Sequence, residues 1–232
     1  AFEEAVHTDT FIYCCDTLGL NPDEIYMMYE SVKIIKDKDD FVVDITKSIF
    51  DSSFEITDDS TLRMFVRDLI GYYVIMEGIF FYAGFAMMLS LKRNRKMVGI
   101  GEQFEYIMRD ESLHLAFGCD LINTIKKENP QVWTEDFKVE VTELIKKSVE
   151  LEMAYALEAC PDGLMGITSK QFCDYVQHIA DRRLERIGLE KQYHKKNPFL
   201  WMSEATDLDK EKNFFETRVT EYQTGGSLVW ED

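Results

Sequence analysis

Between Leu69 and Leu91 runs a nearly unbroken apolar stretch whose one charge is Glu77. A stretch of that length can cross a bilayer. It can equally form a helix enclosed by neighbours, apolar on every side because it is buried on every side. No other segment of the chain looks membranous, and Gly71, Gly78, Gly84 and the interspersed tyrosines suit close helix packing. A central buried helix is the reading adopted. Glu77 then sits deep in the protein, where an ionised carboxylate is costly unless a cation accompanies it.

The rest of the chain supplies the neighbours. Only 4 Pro and 12 Gly in 232 residues leave little room for the turns of an all-β protein. A chain of this length buries roughly 70% of its unfolded surface and needs no staples. A first helix is expected up to about Leu18, stopped by Gly19 and Asn21, and residues 1–7 read as helix interior, implying an upstream part. Asn21-Pro22-Asp23-Glu24 is a helix start, with Asn as cap and Pro in the first turn. That helix should fade in the charged run Lys36 to Asp40, followed by a shorter piece from Phe41 to Phe50. Ser60 is expected to cap a long helix to Lys92, and a second long helix to end at Asn129-Pro130. Thr134 starts another, stopped at Pro161-Asp162-Gly163, and Thr168 or Ser169 starts the next, with Gly188 at its end. From Glu190 onward the sequence reads as loosely structured.

A formal net charge of -17 argues against nucleic acid and against membrane binding through a basic face. Most of that acidity is solvated helix surface. The odd set Cys14, Cys15, Cys119, Cys160 and Cys173 forms no C-x-x-C pair and reads as reduced thiols of a cytoplasmic protein.

Two of the four histidines occur in one pattern: Glu4-Ala5-Val6-His7 and Glu111-Ser112-Leu113-His114. Glu and His three apart share a helix face and can reach one ion. A single such pair is most often a surface ion pair. Two pairs on facing helices, joined by lone glutamates from two more, make the ligand set of carboxylate-bridged dimetal bundles. Glu77 supplies one lone Glu. Oxygen-rich ligands with one imidazole per ion suit iron and manganese better than zinc or copper. The fourth carboxylate is open: Glu143, Glu150 and Glu152 are available on the helix after Thr134, and a source upstream of Ala1 is preferred. His178 and His194 lack this context and read as surface or packing residues.

At these residues the sequence resembles the small subunit of ribonucleotide reductase. The matching stretches are Phe2-Glu3-Glu4-Ala5-Val6-His7-Thr8, Met76-Glu77-Gly78-Ile79-Phe80-Phe81-Tyr82 and Arg109-Asp110-Glu111-Ser112-Leu113-His114, with Asn213 to Val219 and Glu221-Tyr222 near the end. The resemblance implies an all-α fold, a ferritin-like dimetal-carboxylate helical bundle with additional helices. It divides the chain into a bundle over 1–200, lacking its first helix upstream, and a tail over 201–232. It implies metal ligands Glu4, His7, Glu77, Glu111 and His114, with the remaining carboxylate before Ala1. The dimetal site would activate O₂ and store an oxidising equivalent, passed to a large subunit that reduces ribonucleotides.

In most members of that family a tyrosine one turn after the first ligand histidine stores the equivalent as a radical. Here that position is Phe11. Similar subunits with phenylalanine there use manganese and iron, the manganese replacing the radical; the other reading is an inactive partner subunit. Retention of all five ligands favours manganese–iron over the inactive subunit, and two irons are the alternative metal content. The resemblance further implies that Asp110 bonds His7, that Phe81, Phe85 and Ile107 shield the oxidant, and that Tyr222 relays the equivalent within a tail that docks on the large subunit. Tyr106 and Tyr13 are weaker relay candidates. A homodimer is expected from the family. Two other functions compete: a ligand-binding manganese–iron oxidase on the same scaffold, and a non-catalytic ferritin-like metal-binding subunit.

Overall fold

The structure is a computed structural model, and it describes residues 2–205. Among these no strand forms; the lone β-type contact is the bridge between Leu164 and Ile167. In chain order the helices are α1 (Phe2–Thr17), α2 (Pro22–Ser31), α3 (Lys33–Thr46), α4 (Asp59–Leu69), a π-helical segment (Ile70–Glu77), α5 (Tyr82–Arg93), α6 (Val98–Glu128), α7 (Glu135–Ala159), α8 (Ser169–Arg186) and α9 (Leu200–Ala205), with a short 3₁₀ turn at Pro130–Val132. The all-α expectation holds.

Capping chemistry sets most boundaries. Asn21 Oδ1 accepts the Asp23 N–H at 3.0 Å, and Thr134 and Thr168 accept from Phe137 and Gln171. Gly188 ends α8 at φ +75, the left-handed conformation that favours glycine. Several features differ from expectation, among them the long helix expected from Ser60 to Lys92, which passes through the π-helical segment and a turn at 78–81. The break after α2 falls at Val32, which is extended (φ -96, ψ 106), and the charged run 36–40 lies inside α3. There Lys36 pairs with Asp40 at 3.4 Å and Lys33 with Asp37, so i,i+4 ion pairs make the run a solvated helix face. The cap of α4 is Asp58, not Ser60, because Asp58 and Thr61 bond reciprocally in a capping box. The stretch from Glu190 is ordered as far as it is described. Buried Asp181 accepts the N–H groups of Gln192, Tyr193 and His194, and Phe199, 1% exposed, packs on Phe172 and Tyr175. α9 carries the helical fold past residue 200. Tyr222 and the rest of the tail lie outside the described residues.

The apolar stretch is the centre of the fold. Asp59–Arg93 is long and apolar enough to cross a membrane by length and composition, yet 72% of its most apolar window is buried within the protein. α6 lies along α5 and the π segment, α3 crosses the π segment and α7, and α8 backs α5 and α7. Gly71 and Gly118 make the close approaches possible: a Cβ on Gly71 would meet Ile45 at 2.9 Å, and one on Gly118 would meet Tyr73 at 2.2 Å. Gly84 departs from the expected close packing, since a Cβ there would meet nothing within 4 Å. Phe137, Ile70, Ile75, Ile79 and Met108 are fully buried around this axis, each worth roughly 1.5–3 kcal/mol relative to exposure.

Candidate metal centre

Glu4 and His7 project from α1, Glu77 ends the π segment, and Asp110, Glu111 and His114 project from α6. One donor atom each of Glu4, Glu77, Glu111 and His114 lies within 4.8 Å of the others. His7 completes the group, its Nδ1 standing 3.1 Å from Glu111 Oε1 and 3.6 Å from Glu4 Oε2. On the other side His114 Nδ1 stands 3.1 Å from Glu4 Oε1, 3.3 Å from Glu111 Oε2 and 3.9 Å from Glu77 Oε1. Glu4 and Glu111 therefore each turn one oxygen to each histidine. The centroids of the two imidazole rings lie 6.3 Å apart, with the rings tilted by 45° to one another.

The donor set fits a pair of cations. Among the described residues, buried side-chain atoms without a hydrogen-bond partner are Glu4 Oε1, His7 Nδ1, Glu77 Oε2 and Arg67 Nε, and the first three belong to this cluster. Leaving such atoms unmet costs about 1–3 kcal/mol apiece, more for charged groups. Burial, and then the Glu111 charge, push the Glu77 carboxyl up to about 8. Burial and Glu4 likewise raise Glu111. Burial would lower His114, but the hydrogen bond it donates to Glu3 and the charges of Glu77 and Glu111 outweigh it and leave it raised. Carboxyl groups this crowded are the environment that a bound cation relieves.

The outward nitrogens are held as well. His7 Nε2 lies 3.2 Å from Asp110 Oδ2, the pairing expected of Asp110. His114 Nε2 lies 2.7 Å from Glu3 Oε2, a partner the sequence reading did not single out. In each case a carboxylate at Nε2 fixes the ring with Nδ1 toward the cluster. Tyr72 was also missed; its hydrogen bond pulls the Glu77 carboxyl down against burial. Residues five apart become neighbours only in a π-helix, and the segment containing both has that form. Burial and the Glu77 charge push Tyr72 up to about 12.

The candidate fourth carboxylates do not join. Glu143 and Glu150 pair with Lys146 and Lys147 at the surface, and buried Glu152 pairs with Lys38 at 2.6 Å. The His114 side thus has Glu77 as a carboxylate of its own, while the His7 side has none among the described residues.

A cavity of about 490 Å³ opens beside Glu4, His7 and Glu111, walled by Phe11, Phe81, Phe85, Phe104 and Ile107 among others. Phe81, Phe85 and Ile107 are where the shielding expectation puts them, and Phe104 adds to the wall, its ring 5.5 Å from Phe11 and 6.3 Å from Phe85. Phe11 itself is 41% exposed, so it is a wall residue and not a core one. Tyr106 is part-buried one turn before Asp110, and Tyr13 is exposed. His178 accepts from or donates toward no cluster atom: its Nδ1 lies 3.0 Å from the Lys195 carbonyl oxygen, and His194 sits at φ 53 on the surface.

A helical protein with two Glu-x-x-His pairs and a lone glutamate gathered inside it has the donor set of the carboxylate–histidine class of helical bundles. The comparisons give the family. The family model described as "Ribonucleotide reductase, small chain" matches residues 1–198. The chain is 57% identical over 230 residues to the ribonucleoside-diphosphate reductase subunit beta of Chlamydia pneumoniae, covering 99% of itself and 66% of that protein. It is 30% identical to the subunit beta of Halalkalibacterium halodurans, covering 96% of itself and 64% of that relative. Among solved structures it resembles a class I ribonucleotide reductase from Bacillus halodurans (TM-score 0.78, 30% identity, 88% of this chain and 71% of that one). The R2 subunit from Clostridium botulinum is similar too (TM-score 0.78, 28% identity, 89% and 64%). This chain belongs to the ribonucleotide reductase small-chain family, and its fold is the ferritin-like helical fold of that family's structures. It spans just under two thirds of the length of the curated relatives it matches.

Proposed function

We propose that this chain is the metal-binding part of a ribonucleoside-diphosphate reductase small subunit that holds manganese and iron. The observation that carries the proposal is the convergence of Glu4, His7, Glu77, Glu111 and His114, with Glu4 and Glu111 each spanning both histidines. Two such ions supply O₂ activation and a stored oxidising equivalent. The chain's own residues prepare the place for them. Asp110 and Glu3 hold the ring orientation of His7 and His114, while Glu4 and Glu111 offer an oxygen to each side. Phe81, Phe85, Phe104 and Ile107 keep the neighbourhood apolar, limiting water and oxidisable groups. Phe11 supports manganese–iron over two irons, since this residue of the cavity wall has no phenol to oxidise. The proposal extends to a cytoplasmic homodimer whose tail, including Tyr222, docks on a large subunit, with Tyr106 and Tyr222 as relay residues.

The test is to supply manganese and iron to the full-length protein, expose it to air, and count both per chain. About one of each is expected. Two irons would remove the role given to Phe11, and no metal would favour an inactive partner subunit.

The cavity favours one second reading, a manganese–iron oxidase that binds an apolar ligand, because Gly84 and the phenylalanine wall leave about 490 Å³ open beside the cluster. Solvent extraction followed by mass spectrometry separates the two. A stoichiometric long-chain ligand would support the oxidase; none, together with competition by a peptide spanning Tyr222 to Asp232 for a large subunit, supports the reductase.

A further inference from the structure

Interrupting a helix inside a protein frees backbone groups that water cannot reach, and each needs a side chain to meet it. Residues 78–81 form such an interruption, directly behind Glu77 and before α5. α5 begins at Tyr82 with no side-chain cap of its own. Three charged side chains from three other helices come to this turn. Arg183 of α8, 4% exposed, donates from Nε to the Gly78 carbonyl at 2.8 Å. Lys38 of α3 donates from Nζ to the Phe80 carbonyl at 3.1 Å and to Glu152 Oε2 at 2.6 Å. Glu152 of α7, fully buried, accepts the Ala83 N–H on its other oxygen at 3.1 Å.

The signs follow the local dipoles. Cations meet the Gly78 and Phe80 carbonyls behind the π segment, and an anion meets the Ala83 N–H in the first turn of α5. A buried lysine–glutamate pair is in general a poor source of stability, since an apolar replacement serves as well or better. Its worth here lies in the backbone it holds. Glu77 is the residue before Gly78, so a fixed turn fixes the end of the segment from which the Glu77 carboxylate projects.

We propose that Lys38, Glu152 and Arg183 are positioning residues for the Glu77–His114 half of the metal site, acting through the turn at 78–83. The inference rests on reading the cluster as a metal site. The His7 half takes its ligands from α1 and α6, whose backbones make none of these three bonds. Loss of the brace therefore acts on one half of the site and spares the other.

The experiment uses the full-length protein with Mn²⁺ alone as probe. Lys38→Met/Glu152→Ala removes the Phe80 and Ala83 bonds without stranding a charge, and Lys38→Met/Glu152→Gln keeps an acceptor for the Ala83 N–H. Folding is followed by circular dichroism and manganese by titration with electron paramagnetic resonance. Amide hydrogen exchange over 78–83 is read on metal-free protein. Wild type is expected to bind two Mn²⁺. The alanine variant should keep one at wild-type affinity and bind the other about tenfold or more weakly, with faster exchange at 79–83; the glutamine variant should lie between. If the alanine variant does not fold, the glutamine variant decides, since it lacks just the Phe80 bond and must show the same one-sided weakening in smaller measure. Wild-type titration in a folded variant, or equal weakening of both ions, overturns the proposal. Should wild type bind no Mn²⁺, the metal reading fails instead, and unchanged exchange at 79–83 in the variants would still overturn the brace.

Discussion

Glu4 and Glu111 belong to neither histidine alone. The pairing of each with its own histidine was legible in the sequence, because Glu and His three apart face the same way along a helix. The contact of each with the other histidine is seen in the structure. Partners that reach the site from another helix were not legible in the same manner. Glu3 serves His114 across 111 positions, and Tyr72 meets Glu77 through a π-helical spacing that a 3.6-residue period hides. Asp110→Asn should weaken metal binding about 10–100-fold, because the carboxylate that orients His7 is lost; a metal titration checks it. The metal-free protein should also carry a pH signature of Glu77. Its carboxyl is raised from 4.5 to about 8 on folding, so the folded state holds that proton more tightly than the unfolded one. This contribution is complete below about pH 4.5 and is lost as the pH rises to about 8. Urea midpoints of metal-free protein should fall across that window, and Glu77→Gln should flatten the slope.

At the scale of elements, short polar signals did the most. Asn21, Thr134, Thr168 and Gly188 each end or begin a helix where the sequence says, because a cap is a local bond between near neighbours. The misses share a cause, since each was decided by something more distant or more subtle than a cap residue. Asp58 won over Ser60 through its reciprocal bond with Thr61, and the long helix through 59–92 is interrupted because charged side chains of α3, α7 and α8 satisfy its freed backbone. The glycines make a paired prediction. Gly118→Ala forces a methyl group into the Tyr73 ring, already at 2.2 Å from the Cβ position, and should destabilise the protein by about 1–3 kcal/mol. Gly84→Ala meets open space within α5 and should be neutral or stabilise by roughly 0.5–1 kcal/mol. Denaturant midpoints of the two variants, measured side by side, check the contrast.

For the whole molecule, the buried course of the apolar stretch and the all-helical class were both readable from composition and from one uninterrupted run. The ordering of 190–202 was not, because it depends on Asp181 and on a pocket between Phe172 and Tyr175 that no local pattern announces. Phe199→Ala should therefore cost about 3–5 kcal/mol, lowering the thermal midpoint despite its place near the end of the described chain. A last consequence comes from how far apart the cluster's parts stand in sequence: His7 and Asp110 meet across 103 positions. An unfolded chain cannot hold such a constellation together, so a metal bound at this cluster would be a ligand of the folded state alone. At a hundred times its dissociation constant one ion would add about 2.7 kcal/mol to folding. Melting midpoints should climb with free Mn²⁺ concentration, and a midpoint indifferent to it would contradict the linkage. By this logic the supply of metal would govern how long each molecule survives proteolysis, and metal-starved cells would clear the empty protein.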